Sequence, residues 1–188
     1  MEAFLVSIAV VGLAEIGDKT QLLSLLLAAR FRRPWPIIWG ILVATLANHA
    51  AAGAAGALLG NLVEGAWLRW GLGLSFLAVA VWALIPDRYD DTGADGSGRR
   101  FGAFLTTLFA FFVAEIGDKT QIATIGLAAR FEQLWPVVLG TTLGMMLANI
   151  PAVLIGDRIA DRLPVRAIRI AAAAVFAALG IWTLVAWS

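Results

Sequence analysis

Hydrophobic positions along this chain come in long blocks. Six blocks qualify as membrane-crossing helices, since a helix needs about 20 apolar residues to cross roughly 30 Å of hydrocarbon. The first runs from Phe4 to Ala29 and stops at Arg30-Phe31-Arg32-Arg33-Pro34, where Pro34 and Pro36 oppose helix continuation. The second covers Trp35 to Leu59, and the third covers Trp67 to Ile85 and closes on Pro86. A stretch from Asp87 to Arg100, rich in Asp, Gly and Arg, is too hydrophilic to be anything but an exposed linker. Three more blocks follow: Phe101 to Ala129, Trp135 to Ile155, in which Pro151 is expected to introduce a kink, and Ile168 to Trp187.

Within the first and fourth blocks the apolar run is interrupted by one octapeptide, present twice. Ala14-Glu15-Ile16-Gly17-Asp18-Lys19-Thr20-Gln21 returns unchanged as Ala114 to Gln121. The match extends further: Ala28-Ala29-Arg30-Phe31 recurs at 128–131, Trp35-Pro36 at 135–136 and Gly40 at Gly140. With one residue inserted, Leu46-Ala47-Asn48 recurs as Leu147-Ala148-Asn149. This is an internal duplication. The expected organisation is a first three-helix repeat at 1–86, a cytoplasmic linker at 87–100 and a second repeat at 101–188. Three spans are an odd number, so the second repeat enters the membrane from the opposite side. The predicted fold is all-α and integral to the membrane, with six transmembrane helices as an inverted 3+3 repeat and a site at the midplane between the repeats.

Composition agrees: 61% of residues are hydrophobic and the mean hydropathy is +0.86, against about 45–50% apolar content in soluble domains. The formal net charge of +1 gives no nucleic-acid footprint. The absence of Cys removes thiolate metal chemistry. Met1-Glu2-Ala3-Phe4 lacks the basic region of a cleavable signal, so the first span is expected to be retained. The loops after the first, third and fifth spans hold Arg30, Arg32, Arg33, Arg88, Arg99, Arg100, Arg158, Arg162, Arg166 and Arg169, while the other side has Arg69 and Arg130. That bias places those loops in the cytoplasm and both termini outside it. Trp35, Trp39, Trp67, Trp135 and Trp187 fall near span ends, where indole rings anchor at the interface.

The octapeptide carries the candidate chemistry, because ionisable groups inside hydrocarbon are costly enough to be read as functional. On a continuous helix Glu15 and Asp18 share a face, as do Glu115 and Asp118. Two inverted copies then turn four carboxylates toward one another, and these cannot all ionise in a low dielectric unless a cation or protons neutralise them. Four acids less Lys19 and Lys119 leave a charge of minus two, matched by one divalent ion or two protons. Thr20, Thr120, Gln21, Gln121, Asn48 and Asn149 add oxygen donors as supporting ligands or proton-coupling groups. The whole set suits Mn²⁺ or Ca²⁺; Mg²⁺ dehydrates reluctantly, and Zn²⁺ or Cu²⁺ would want His or Cys where only His49 exists. Gly17 and Gly117 are expected to permit a kink or an unwound turn, with close packing as the competing account. Lys19 and Lys119 are expected to pair with Glu15 and Glu115 at i,i+4, and to serve as countercharges when the site is empty. Gly53, Gly56 and Gly60 read as a packing face. Asp157, Arg158, Asp161 and Arg162 read as a solvated cytoplasmic segment, and His49 as a hydrogen-bonding residue, with a proton relay as its alternative.

Two copies of Glu-x-Gly-Asp-Lys-Thr, each in the first span of a three-span repeat, resemble the Gdt-type divalent cation/proton antiporters, and the resemblance covers essentially the whole chain. It implies exchange of Mn²⁺, or alternatively Ca²⁺, for protons, with metal export in bacterial relatives of this compact size. It also implies a multi-pass protein of the bacterial inner membrane. The family's acidic positions fall on Glu15, Asp18, Glu115 and Asp118, with Lys19, Thr20, Lys119 and Thr120 completing the motifs. Implied partners are the lipid bilayer, the cation and protons, with no prosthetic group and no nucleic acid; homo-oligomerisation is left open. Two other readings remain. One is a small-solute exporter of the lysine-exporter type; the other is an intramembrane aspartyl protease in which Asp18 and Asp118 share a proton.

Overall fold

The structure, a computed structural model, describes residues 1–63, 65–85, 98–155 and 165–186. These residues are helical throughout apart from short joints. In chain order the helices are α1 (Glu2–Glu15), α2 (Lys19–Phe31), α3 (Pro34–Leu62), α4 (Ala66–Leu84), α5 (Gly98–Glu115), α6 (Lys119–Phe131), α7 (Leu134–Ile155) and α8 (Val165–Ala186). Most of the linker, the segment containing Asp157, Arg158, Asp161 and Arg162, and Trp187 lie outside the described residues.

The first and fourth apolar blocks are each two helices rather than one, which corrects the expectation of a continuous helical face from Glu15 to Asp18. At 14 and 13 residues, α1 and α2 are each about 20 Å long and too short to cross the hydrocarbon alone. Gly17 and Gly117 cause the break: their φ angles of 79° and 73° lie in the left-handed region, which residues bearing a Cβ enter at a cost of about 1–2 kcal/mol. A Cβ on Gly117 would meet nothing within 4 Å, so its requirement is conformational and close packing does not explain it. A further break at Gly102, φ 71°, divides the polar start of α5 from its apolar body. Among the described residues, three helices are long and apolar enough to span by themselves, namely Pro34–Leu62, Ala66–Leu84 and Leu134–Leu154, with shorter apolar helices at Gly102–Glu115 and Arg169–Val185.

Contacts run between the two halves. Gly40 of α3 packs on Phe104 and Thr107 of α5, while Gly140 of α7 packs on Phe4 and Ser7 of α1, so each contact repeats the other one hundred residues away with the halves exchanged. Gly73 of α4 meets Leu184 and Gly180 of α8, a further contact between the halves. Gly53, Gly56 and Gly60 form the expected packing face, against Val138 and Leu134 of α7 and against Ile125, Ala128 and Ala129 of α6. Around these close approaches Phe76, Phe176, Leu127 and Val10 build one core and Ile37, Ile41 and Phe111 a second.

Polarity is inverted relative to a soluble protein. Trp35, Trp39, Trp67, Leu74, Val81, Trp135 and Val185 face outward, whereas Glu15, Asp18, Thr20, Asn48, His49, Glu115, Asp118 and Asn149 are buried. A surface this apolar needs lipid to cover it, and the chain is a multi-pass membrane protein. Substituting Gly56 by Leu would drive a side chain into the Ile125 carbonyl, whereas a Cβ on Gly71 meets nothing within 4 Å. Gly56→Leu should therefore lose most of its monodisperse peak in detergent size-exclusion chromatography, at a cost of about 1–3 kcal/mol or more, and Gly71→Ala should match wild type.

Candidate metal centre at the paired helix breaks

Each octapeptide builds its own break. The Gly17 N–H donates to Gln21 Oε1 at 2.9 Å and the Gly117 N–H to Gln121 Oε1 at 2.8 Å, so the first turn of the second half-helix reaches back to satisfy the unwound backbone. Asp18 and Asp118, in extended conformation, occupy the N-cap positions of α2 and α6. A carboxylate at a helix N-terminus meets the positive end of the backbone dipole. Thr20 Oγ1 donates to Glu15 Oε2 at 2.6 Å, and Thr120 Oγ1 lies 3.2 Å from both Glu115 Oε2 and Asp118 Oδ2. The threonines thus fix the glutamates across the break.

Between the halves the acids converge. One carboxylate oxygen each from Glu15, Glu115 and Asp118 lies within 4.8 Å of the others, and all three side chains are buried. Glu15 Oε1 and Glu115 Oε1 have no hydrogen-bond partner among the described residues. Asp18, the fourth acid, stands outside this trio and bonds Lys119. The ion pairs are exchanged between copies: Lys19 Nζ lies 2.8 Å from Asp118 Oδ1, and Lys119 Nζ pairs with Asp18 Oδ1. This replaces the expected i,i+4 pairing of Lys19 with Glu15, because the break removes the helical turn which that spacing requires.

The remaining sequence candidates surround this centre. Gln21 Nε2 donates to the Ala148 carbonyl at 3.1 Å, and Asn149 accepts from Ser24 Oγ at 2.7 Å while donating to Met145 O and Sδ. Asn48 Nδ2 donates to the Phe112 carbonyl near the end of α5 at 3.1 Å. Among the described residues, the hydrogen bonds of Gln21, Gln121, Asn48 and Asn149 hold helices together rather than reaching the carboxylates. His49 is fully buried, with neither ring nitrogen hydrogen-bonded among the described residues.

Two residues escaped the sequence reading. Ser24 joins α2 to Asn149, and its signal was available in Thr124, which keeps a hydroxyl at the matching place. Arg169 of α8 reaches the break itself, with Nη2 3.5 Å from the Gly17 carbonyl; in the sequence it counted only toward orientation.

These are the parts of a buried hard-cation site: acid oxygens from both halves, two of them without a hydrogen-bond partner among the described residues, and an ammonium group on each aspartate. A family model described as "Divalent cation/proton antiporter GDT1" matches residues 3–91 and 103–188. A protein of Vibrio cholerae bearing the name "Putative manganese exporter" is 50% identical over 184 residues, covering 97% of this chain and 90% of its own length. A GDT1-like protein of Synechocystis is 28% identical, covering 99% of this chain and 100% of its own, and GDT1-like protein 5 of Arabidopsis thaliana is 28% identical, covering 98% and 96%. No solved structure matches. The chain belongs to the GDT1 family of divalent cation/proton antiporters.

Proposed function

We propose that this protein exports Mn²⁺ from the cytoplasm in exchange for protons, with Ca²⁺ as the alternative cargo. The observation that carries the reading is the buried trio Glu15, Glu115 and Asp118, contributed by both halves, in which two glutamate oxygens have no hydrogen-bond partner among the described residues. The 50% identity to a relative named for manganese export supports Mn²⁺ as cargo, and the all-oxygen acid set accepts either ion.

The lysines set the charge that the cargo must balance. Lys19 on Asp118 and Lys119 on Asp18 neutralise two of four acids. The residual charge of minus two is met either by one divalent ion or by two protons, so loading with one expels the other. Glu15, Glu115 and Asp118 would hold the ion, with Asp18 joining when Lys119 withdraws. Gln21, Gln121, Thr20 and Thr120 keep the breaks and the glutamates in place. The aspartates each face a lysine from the other half rather than sharing a proton, which speaks against a protease dyad.

The architecture we infer is six spans as an inverted 3+3 repeat, 1–86 and 101–188 about a linker at 87–100. The first and fourth spans are broken at the site, and the reciprocal packing of Gly40 and Gly140 supports that symmetry. The arginine bias supports termini outside the cytoplasm. The bacterial relative supports the inner membrane as its location.

In proteoliposomes carrying an internal pH dye, a Mn²⁺ gradient should drive opposing proton movement. Asp118→Asn and Glu115→Gln should each abolish it, while Glu2→Gln, an exposed position, should leave it unchanged. Active Asp118→Asn or Glu115→Gln protein would refute the shared site, and Ca²⁺ driving the flux where Mn²⁺ does not would reassign the cargo. Breaking a fully buried ion pair costs about 3–5 kcal/mol and less where one partner is partly exposed, as Lys19 is, so Lys19→Met should slow net exchange on the order of a hundredfold by destabilising the metal-free carrier. The same variant should retain radiolabelled Mn²⁺–Mn²⁺ counterflow, which never requires the metal-free carrier to change the side it faces.

A further inference from the structure

The two octapeptides are identical in sequence but not in surroundings. Gly117 and its neighbour Ile116 are exposed, Ile116 by 58%, whereas Gly17 and Ile16 are half-buried. Of the lysines, the Lys19 side chain is 26% exposed and that of Lys119 only 5%. A partly exposed ammonium at membrane depth needs water, and Lys19 pairs with Asp118 next to the exposed Gly117, so the break at Gly117 lines an aqueous approach. At the other break, Arg169 Nη2 lies 3.5 Å from the Gly17 carbonyl, putting a half-buried guanidinium over the end of α1.

We propose that Arg169 is a gating residue that closes the cytoplasmic approach to the site by holding the Gly17 carbonyl, and that this conformation is open to the outside along Gly117. Arg169 lies in the second turn of α8, on the arginine-rich side assigned to the cytoplasm. Its sequence counterpart is Arg69 of α4, matched through Phe76 with Phe176 and Trp82 with Trp182. Arg69 is therefore placed to cover Gly117 in the opposite state. A guanidinium suits this task because its planar fork of N–H donors bonds a carbonyl exposed by a helix break. The inference rests on the antiport reading for its two-sided cycle, but the closure itself is a matter of access and is tested without any cargo.

The chain has no cysteine, so single-cysteine reporters can be placed directly. Ile16→Cys and Ile116→Cys would be treated with a membrane-impermeant maleimide on right-side-out and inside-out vesicles. Ile116→Cys should label from the outside and Ile16→Cys should be protected from both faces. Adding Arg169→Gln should raise labelling of Ile16→Cys from the cytoplasmic face about tenfold, and Arg169→Lys, which keeps a charged donor, should restore most of the protection. Equal labelling of the two reporters, or no effect of Arg169→Gln in protein with a normal detergent elution profile, would overturn the gate. Loss of metal-driven proton flux alongside normal labelling would instead count against the antiport reading and leave the gate standing.

Discussion

Four buried carboxylates and the two ammonium groups paired with them, one buried and one partly exposed, impose the constraint on which the rest of this structure depends. A lone charge in hydrocarbon is expensive, so every ionised group must find an opposite charge or a dense set of hydrogen bonds. The chain meets this by exchange: each half supplies an aspartate at a helix N-cap and a lysine beside it, and each lysine crosses to the aspartate of the other half. Neither half can satisfy its own ions, because the left-handed glycine that exposes the acids also destroys the turn along which an intrahelical pair would form. Assembly of the halves and neutralisation of the site are therefore one event.

The close packing serves that exchange. Gly40, Gly140, Gly73 and Gly180 let helices of opposite halves approach until backbone meets side chain, and Gly56 brings α3 onto the Ile125 carbonyl of α6. Lipid gives apolar side chains no reason to leave it, so association in the membrane relies on such fit together with polar bonds such as Ser24 to Asn149 and Gln21 to Ala148. These same contacts set the relative height of the two breaks.

Much of this was legible in the sequence because the decisive signals are local. Mean hydropathy gives the membrane, the repeated octapeptide gives the duplication, and a glycine between two acids gives the break. The partners of the ions were not legible. Reading Lys19 against Glu15 follows from helical spacing, but spacing has meaning only while the helix continues, and Gly17 ends it. The glutamines were legible as polar oxygens but not as caps, since that role exists only once the Gly17 and Gly117 N–H groups are unwound. Arg169 was counted as one charge among ten, because nothing local distinguishes an arginine that sets topology from one that bonds a carbonyl 152 residues away.

Building one site from two repeats has a consequence for coupling. In the proposed cycle a change of access moves one half against the other, and the structural elements that move carry the paired charges. Sliding the halves apart would strip Lys19 from Asp118 and Lys119 from Asp18 together, exposing a deficit that only cargo or protons can fill. A carrier with neither lysine in place nor substrate bound would have to cross its own transition with unpaired buried carboxylates, and that cost suppresses uncoupled leakage. Tight exchange then follows from electrostatics, without a separate locking device, and an arginine at each approach needs only to decide which side the water comes from.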